Sequence, residues 1–389
     1  MGAIMTDSKI QWTDRSDWNP VRGCSRVSLG CGGPHGQGGC YAEKIAARFS
    51  GEGQPFEGFA KRGPARWTGK VALVPEKLGL PLRWRNPARI FACSMADLFH
   101  EKLSNEDIAA VFGVMAACPQ HTFQVLTKRP ERMLAWMGWM DNRSAGCHIA
   151  RAWQDAINLG VADHKQWRGA QSWPLPNVWL GVSAENQETA DARIPLLLQT
   201  PAAVRFVSYE PALEYVDFGL QNATCSCCSR WPSRWVRLVR PVASELPMFL
   251  QPAGLIADPG TYRATGNQHG ALSVLTPGGL LGIKPAEFEC LPALDWIIIG
   301  GESGPGARPC NVAWIRSAVQ QCKAADVACF VKQLGAVVRV SQNEPLTANL
   351  ADVEVKPAWV GHDVLKLRDR KGGDPSEWPN DLRVREFPQ

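Results

Sequence analysis

Cys24, Cys31 and Cys40 lie in one Gly-rich stretch near the N-terminus, followed at once by Tyr41-Ala42-Glu43, where a helix is expected to begin. Thiolates are soft ligands suited to zinc and to iron-sulfur clusters, and both normally take four protein ligands. Three thiols therefore either borrow a fourth ligand or leave one metal position open for chemistry. A 4Fe-4S cluster on three thiolates keeps one iron free, the position at which S-adenosylmethionine can chelate and be cleaved reductively. His35 offers the other route, a structural zinc on three thiolates and one imidazole. The spacing Cys24-x6-Cys31-x8-Cys40 is wider than the two-to-four-residue knuckles usual for zinc, although His35 divides the second gap into three and four residues. Three unrelated buried cysteines are the plain alternative.

Such a loop needs a rigid scaffold. Short β-branched or aromatic runs alternate with helical stretches, which predicts a parallel α/β architecture. Strands are expected over 89–93, 122–126, 178–182, 204–207 and 296–299, with 328–331 a sixth, and their nearly continuous apolar runs suit burial on both faces. Helices are expected over 105–117, capped by Ser104 or Asn105, and over 312–325. Polar residues follow every strand: Ser94 and Asp97, then Thr127-Lys128-Arg129, then Ser183 with Glu185 and Asn186, then Ser208 with Glu210, then Gly300-Gly301-Glu302-Ser303, and last Lys332-Gln333. In a partial or full parallel (β/α) barrel those strand ends share one face, so residues scattered along the chain meet in one pocket. Taken singly, each could merely cap the next helix.

The chain has 389 residues, enough for one elaborated barrel domain. Residues 1–213 hold the cysteine loop and the first part of the barrel, and 214–294 form a Pro/Gly-rich insertion near the barrel mouth. Residues 295–365 carry the last barrel strands and helices, and 366–389 a tail that can strap across the barrel. The net charge of +5 permits a polyanionic partner without demanding one. An odd count of thirteen cysteines in a large chain, with no apolar h-region at the start, fits a reducing cytoplasm, in a bacterial host or encoded by a prophage. No apolar stretch approaches the roughly 18 residues of a membrane span, so no membrane partner is expected. Cys225, Cys227 and Cys228 with His269 or Cys290 are a second, poorly spaced candidate for zinc.

Trp18-Asn19-Pro20-Val21-Arg22-Gly23-Cys24, Gly30-Cys31 and Cys40-Tyr41-Ala42-Glu43 resemble the opening of a phage and prophage family with a three-cysteine motif, labelled by phage gene-product numbers thirty-seven and sixty-eight. The resemblance continues through Ser94-Met95-Ala96-Asp97-Leu98-Phe99, Leu126-Thr127-Lys128-Arg129-Pro130, Gly181-Val182-Ser183, Glu210-Pro211, Gly300-Gly301-Glu302-Ser303-Gly304, Lys332-Gln333 and the tail from Lys371 to Pro379. It implies a divergent radical S-adenosylmethionine protein, distantly similar to spore photoproduct lyase, with a barrel of that type. Relatives place the last two cysteines two residues apart. Here Gly32 to Gly39 intervene, and the glycines of this insert allow it to fold out as a flap that returns Cys40 to the cluster.

The resemblance implies Cys24, Cys31 and Cys40 as metal ligands. It implies a nucleic acid or nucleotide as substrate, for modification or repair, and an external reductant such as flavodoxin or ferredoxin. The cofactor presents an ammonium, a carboxylate, a sulfonium, ribose hydroxyls and adenine. Ser94, Asp97 and Glu302 are then its natural acceptors, with Glu210 at the same strand ends. Gly300-Gly301-Glu302 is similar to an ammonium-binding motif, or is simply a tight turn. Lys128 and Arg129 could hold a carboxylate or phosphate, or be a solvated loop, and Ser183 and Glu185 could hold ribose or substrate. Cys310 is a candidate hydrogen-atom donor, or a buried core thiol. Segments 230–240 and 83–89 interleave Arg with Trp, a mixture suited to phosphate contact and base stacking, or to arginine stems covering a core. A zinc-stabilised nucleic-acid-binding protein and an iron-sulfur redox or sensor protein remain as alternatives.

Overall fold

The computed structural model describes residues 8, 10–33, 38–143, 148–160, 172–220, 235–238, 261–266, 272–276, 279–283, 288–290, 294–341, 354–358 and 362–389. Its centre is a sheet of six strands: β1 (Arg89–Ala92), β2 (Thr122–Thr127), β3 (Val178–Ser183), β4 (Val204–Tyr209), β5 (Trp296–Gly300) and β6 (Ala328–Gln333). All neighbours are parallel, and spatial order follows chain order without reversal. A parallel sheet wound in one direction sends its crossovers to one face. That leaves the other face free to close on itself, and the sheet curls into a half-barrel.

The helices named below are α1 (Tyr41–Arg48), α2 (Asn105–Ala116), α3 (Pro130–Arg143), α4 (His148–Asn158), α5 (Gln187–Gln199) and α6 (Val312–Ala324). Ser104 starts α2 by a closed capping box with Asp107, and Asn186 starts α5 in the same way with Thr189. Alternation along the strands separates two cores. Ile90, Val125, Val182, Val207, Ile299 and Val331 belong to the large core shared with the helices. Phe91, Phe206, Trp296, Ile298 and Phe330 form a second cluster with Trp12, against which Trp179 and Phe387 pack. Trp12 lies 4.7 Å from Phe91 and 6.1 Å from Trp296 between ring centroids, and Phe387 lies 5.3 Å from Trp296. Segments near both chain ends thus plug the concave side.

The same segments cover the sheet edges, which would otherwise offer unpaired amides. Arg15 bridges to Ile90 on β1, and Arg385 bridges to Phe330 on β6. Val331 N–H donates to Val384 O (2.9 Å) and Glu386 N–H to Cys329 O (2.8 Å), so the tail does strap across the barrel.

The region expected as an insertion, 214–294, is described in two parts. Phe218 is fully buried, and its N–H donates to Gln321 of α6 (2.8 Å), so the chain packs with the barrel core at least to Phe218. Within 235–290, five short strands form an antiparallel sheet in the spatial order 279–283, 272–276, 261–266, 235–238, 288–290. Strands this short, set among Pro and Gly, carry little periodic signal. His35, Cys225, Cys227, Cys228 and His269 lie outside the described residues, as does most of 230–240. Among the described residues no helix is long and apolar enough to cross a membrane.

Gly181 sits on the inner side of β3, where a Cβ would fall 2.5 Å from the Phe206 ring. Gly181→Ala should therefore overpack the half-barrel and cost about 1–3 kcal/mol in urea unfolding. An unchanged midpoint would show that the ring yields freely.

Candidate functional site

One cavity opens at the C-terminal ends of the strands, and Cys24, Cys31 and Cys40 all line it, together with Ser94, Asp97, Lys128, Ser183, Ser208, Glu210, Glu302 and Lys332. It offers about 250 Å³, several times the ~30 Å³ share of one water, and so has room for a small molecule.

The cysteine loop is built residue by residue. Gly23 adopts φ +86°, and a Cβ there would stand 1.9 Å from Lys70 O. The position therefore requires glycine, and the turn presents Cys24. Arg129 donates to Ser25 Oγ (2.7 Å) and Ser25 O (3.3 Å), and His100 Nε2 lies 2.9 Å from the same hydroxyl. Arg26 is clamped by the buried Glu43 of α1, which also accepts from Trp67 N–H (3.0 Å). Gly30 N–H donates to Glu185 Oε1 (3.0 Å), and Arg308 donates to Leu29 O (2.7 Å). Cys40 N–H donates to Cys31 O (3.3 Å), which joins the two ends of the eight-residue detour. Gly39 N–H donates to Glu302 Oε1 (3.0 Å), and Cys40 then caps α1.

Burial pushes the Cys24 thiol up to about 12, with Asp97 adding to it and Arg129 opposing. Burial also raises Cys40, against the N–H groups at the start of α1 and the charge of Lys128. Both thiols are thus protonated at neutral pH, and a metal would have to displace those protons. Among the described residues no three His, Cys, Asp or Glu side chains stand close enough to hold a single metal ion. A cube of four irons spaces its thiolates more widely than one ion does, and three thiols around a common cavity suit that donor chemistry.

Not every expected residue lines the cavity. Glu185 stands behind the loop, bonded to Arg193 (3.0 Å) as well as to Gly30. Burial pushes its carboxyl up, but Lys128 and Arg193 outweigh this and hold it below the ordinary range. Glu302 reaches the cavity wall with both oxygens engaged, by Gly39 and by three Arg308 donors at 2.8–2.9 Å. Burial is again outweighed, here by the Arg308 hydrogen bonds, and the carboxyl is held low. Gly300 ends β5, and Gly301 follows it with its N–H donating to Gln333 O (3.0 Å). A Cβ on Gly301 would lie 2.1 Å from Leu334 O, which accounts for the glycine by backbone packing. Asp97 accepts from Thr127 Oγ1 (2.7 Å), Phe99 N–H (3.0 Å) and Lys128 N–H (3.1 Å). The Ser94 hydroxyl donates to Ser16 O (2.8 Å).

Several groups keep capacity for a ligand. Glu210 receives Lys332 and Gln333 on Oε1 only. Lys128 Nζ and the Ser183 and Ser208 hydroxyls make no hydrogen bond among the described residues.

Cys310 does not reach the cavity. It is fully buried in the helix-side core, in a two-residue strand paired with Val338, and burial pushes its thiol up to about 12. Its role as a hydrogen-atom donor is withdrawn, because a thiol on the convex side of the sheet cannot meet a molecule held on the concave side. Cys93 lines the cavity instead, at φ +56°, a rare conformation for a non-glycine residue. Segment 83–89 precedes β1 at the opposite end of the sheet from the cavity. Arg15 covers Trp84 at 3.8 Å there. Glu43, His100, Arg193 and Arg308 support the loop without having been expected as site residues, and Arg129, expected with Lys128 to hold an anion, instead bonds Ser25 of the loop. The sequence signal for Glu43 and His100 is their place in or beside the strings around Cys40 and Asp97.

The chain belongs to a protein family of unknown function, DUF5131, whose model matches residues 7–367. No curated protein and no solved structure shows a significant match to it.

Glu302→Ala should free Gly39 and Arg308 and raise amide exchange over 38–43 by about tenfold or more, since charge-assisted bonds are worth roughly 1.5–3 kcal/mol each. Exchange in β2 and β3 should not change, and a general rise across the sheet would make Glu302 a global fold determinant instead. The lowered carboxyls of Glu185 and Glu302 also set a pH dependence. Their stabilisation of the loop is complete above the ordinary Glu value of 4.5 and is lost as pH falls through the lower folded-state values. Exchange measured from pH 7 downward should show the loop opening below 4.5. Opening already above that value would contradict this electrostatic account.

Proposed function

We propose that the protein is a radical S-adenosylmethionine enzyme in which Cys24, Cys31 and Cys40 hold a 4Fe-4S cluster at the mouth of a half-barrel of that type. The observation that supports this reading best is the convergence of the three thiols on one cavity at the strand ends, with Cys31 and Cys40 joined across the detour that separates them. When bound, the cluster would supply one electron for cleavage of S-adenosylmethionine to a 5′-deoxyadenosyl radical, which abstracts hydrogen from the substrate.

The chain's own residues bind and orient. Lys128, on the cavity wall with no hydrogen bond among the described residues, can receive the cofactor's carboxylate. Glu210 Oε2 is the remaining carboxylate acceptor for its ammonium, since Asp97 and Glu302 are engaged by the protein. Ser183 and Ser208 can donate to ribose. Trp12, Phe91 and Leu126 line the deep wall, where an apolar surface excludes water from a reactive species. A nucleic acid or nucleotide is the substrate class we assign by resemblance, and an external one-electron reductant completes the cycle. The expected location is the cytoplasm.

The test is anaerobic reconstitution, electron paramagnetic resonance with and without S-adenosylmethionine, and chromatography for 5′-deoxyadenosine. A reduced-cluster signal perturbed by the cofactor is expected. Product formation should fall by about 100-fold or more in each of Cys24→Ala, Cys31→Ala and Cys40→Ala. Stoichiometric zinc with neither signal nor product would overturn the reading in favour of a zinc-stabilised nucleic-acid-binding protein. A cluster signal indifferent to S-adenosylmethionine would favour a redox or sensor protein.

A further inference from the structure

Two guanidinium groups lie against the cysteine loop, and they differ in what balances their charge. Arg26 is bound by both oxygens of the buried Glu43, so its charge is answered at close range inside the protein. Arg129 is only 7 % exposed, and its Nε lies 3.1 Å from Glu101 Oε2 without the alignment of a hydrogen bond. The Glu101 side chain is 61 % exposed. A carboxylate in water is screened and cancels little of the field of a buried cation.

That field falls on Cys24. Arg129 donates to Ser25 Oγ (2.7 Å) and Ser25 O (3.3 Å), and the Cys24 thiol donates to the same carbonyl oxygen from 3.5 Å. The backbone of Arg129 is fixed as well, because its N–H donates to Thr127 Oγ1 (2.9 Å) and its carbonyl accepts from Met133 N–H (3.1 Å) at the start of α3. His100 completes the clamp. Lys102 N–H donates to His100 Nδ1 (3.2 Å), which leaves Nε2 as the protonated nitrogen, 2.9 Å from Ser25 Oγ. Burial, with Arg129 beside it, holds this ring below its ordinary value and so neutral. Two donors on one hydroxyl oxygen use its acceptor capacity and keep the guanidinium beside the first cysteine.

We propose that Arg129 is a positioning residue for the cysteine site, supplying the fixed positive charge that offsets Asp97 at Cys24, and so favouring negative charge on that sulfur and on a cluster bound to it. The part that concerns a cluster rests on the reading given above. Asp97 lines the cavity on the other side of Cys24 and opposes a thiolate there, and Arg129 is what counters it. A guanidinium keeps its charge at every pH the protein meets, so the compensation is permanent. Local charge is one of the levers that set the potential of an iron-sulfur centre. The step affected is uptake of one electron from an external one-electron reductant, with no atom transferred. Neighbouring basic residues thus serve different ends: Lys128 lines the cavity, and Arg129 stands outside it, behind Cys24.

The experiment compares wild type with Arg129→Gln, Arg129→Lys and Glu101→Gln. In metal-free reduced protein, the rate at which iodoacetamide labels Cys24 is followed by peptide mass spectrometry at one mildly alkaline pH. Arg129→Gln should slow labelling by about threefold or more, since a tenfold loss of thiolate is partly offset by its greater nucleophilicity. Arg129→Lys, which keeps the charge, should stay close to wild type. Glu101→Gln changes an exposed side chain and leaves the guanidinium unopposed, so labelling should rise; this variant decides the matter if Arg129→Gln does not fold. After reconstitution with ferrous iron and sulfide, a dithionite titration followed by electron paramagnetic resonance should show the reduction equilibrium of Arg129→Gln about tenfold less favourable, or about 59 mV lower for one electron. Faster labelling in both Arg129 variants would mean that Arg129 only holds the loop shut, and would overturn the proposal. Equal effects of Gln and Lys, or no rise in Glu101→Gln, would overturn it too. Failure to form any cluster would refute the cluster reading alone, because the labelling measurement does not need one.

Discussion

Buried carboxylates hang the cysteine loop from the sheet. Glu185 follows the end of β3 and takes Gly30 N–H, while Glu302 follows the end of β5 and takes Gly39 N–H. Glu43 does the same from α1 through Arg26 and Trp67. Burying such groups is costly unless they are charged, paired and fully hydrogen-bonded. Here each meets an arginine and at least one backbone N–H. One donor to each comes from the loop itself, Gly30 N–H, Gly39 N–H and Arg26, so the carboxylates are fully satisfied only when the loop is in place, and this couples the order of the three cysteines to the strands beneath.

That coupling depends on a half-barrel whose inner face changes character along its length. Inward positions run from aromatic to polar toward the C-terminal strand ends: Phe206, Ser208 and Glu210 on β4 and just beyond, Trp179, Gly181 and Ser183 on β3, and Phe330 and Lys332 on β6. The lower layer is sealed by Trp12 and Phe387, which makes the floor dry and leaves the mouth as the polar end. A cofactor held there would sit between a water-excluding wall and a ring of donors and acceptors. The same arrangement keeps a thiol on the outward side, Cys310, away from the cavity, while Cys93 at the end of β1 lines it.

An exposed apolar stripe on α1 belongs to this economy of faces. A helix that packs one side on a hairpin ordinarily offers charge to solvent on the other. Here the second side carries Tyr41, Ile45 and Phe49 beside Lys44 and Arg48, with Tyr41 directly after Cys40.

Strands, helix caps and the gathering of polar residues after each strand were legible in the chain itself, because strand and helix periodicity and capping are local properties. The six-stranded sheet and the helices starting at Asn105 and Val312 lie where the pattern put them. The three cysteines were legible as a group because they fall within seventeen positions. What only the tertiary structure decided was long-range. Gly30 meets Glu185 across 155 positions, and Gly39 meets Glu302 across 263. Those meetings turn expected cofactor acceptors into supports of the loop. Nothing local distinguishes a carboxylate that will bind a ligand from one that will bind a backbone amide. That choice follows from strand register and from which side of the sheet each residue takes, and both are set by packing of the whole barrel.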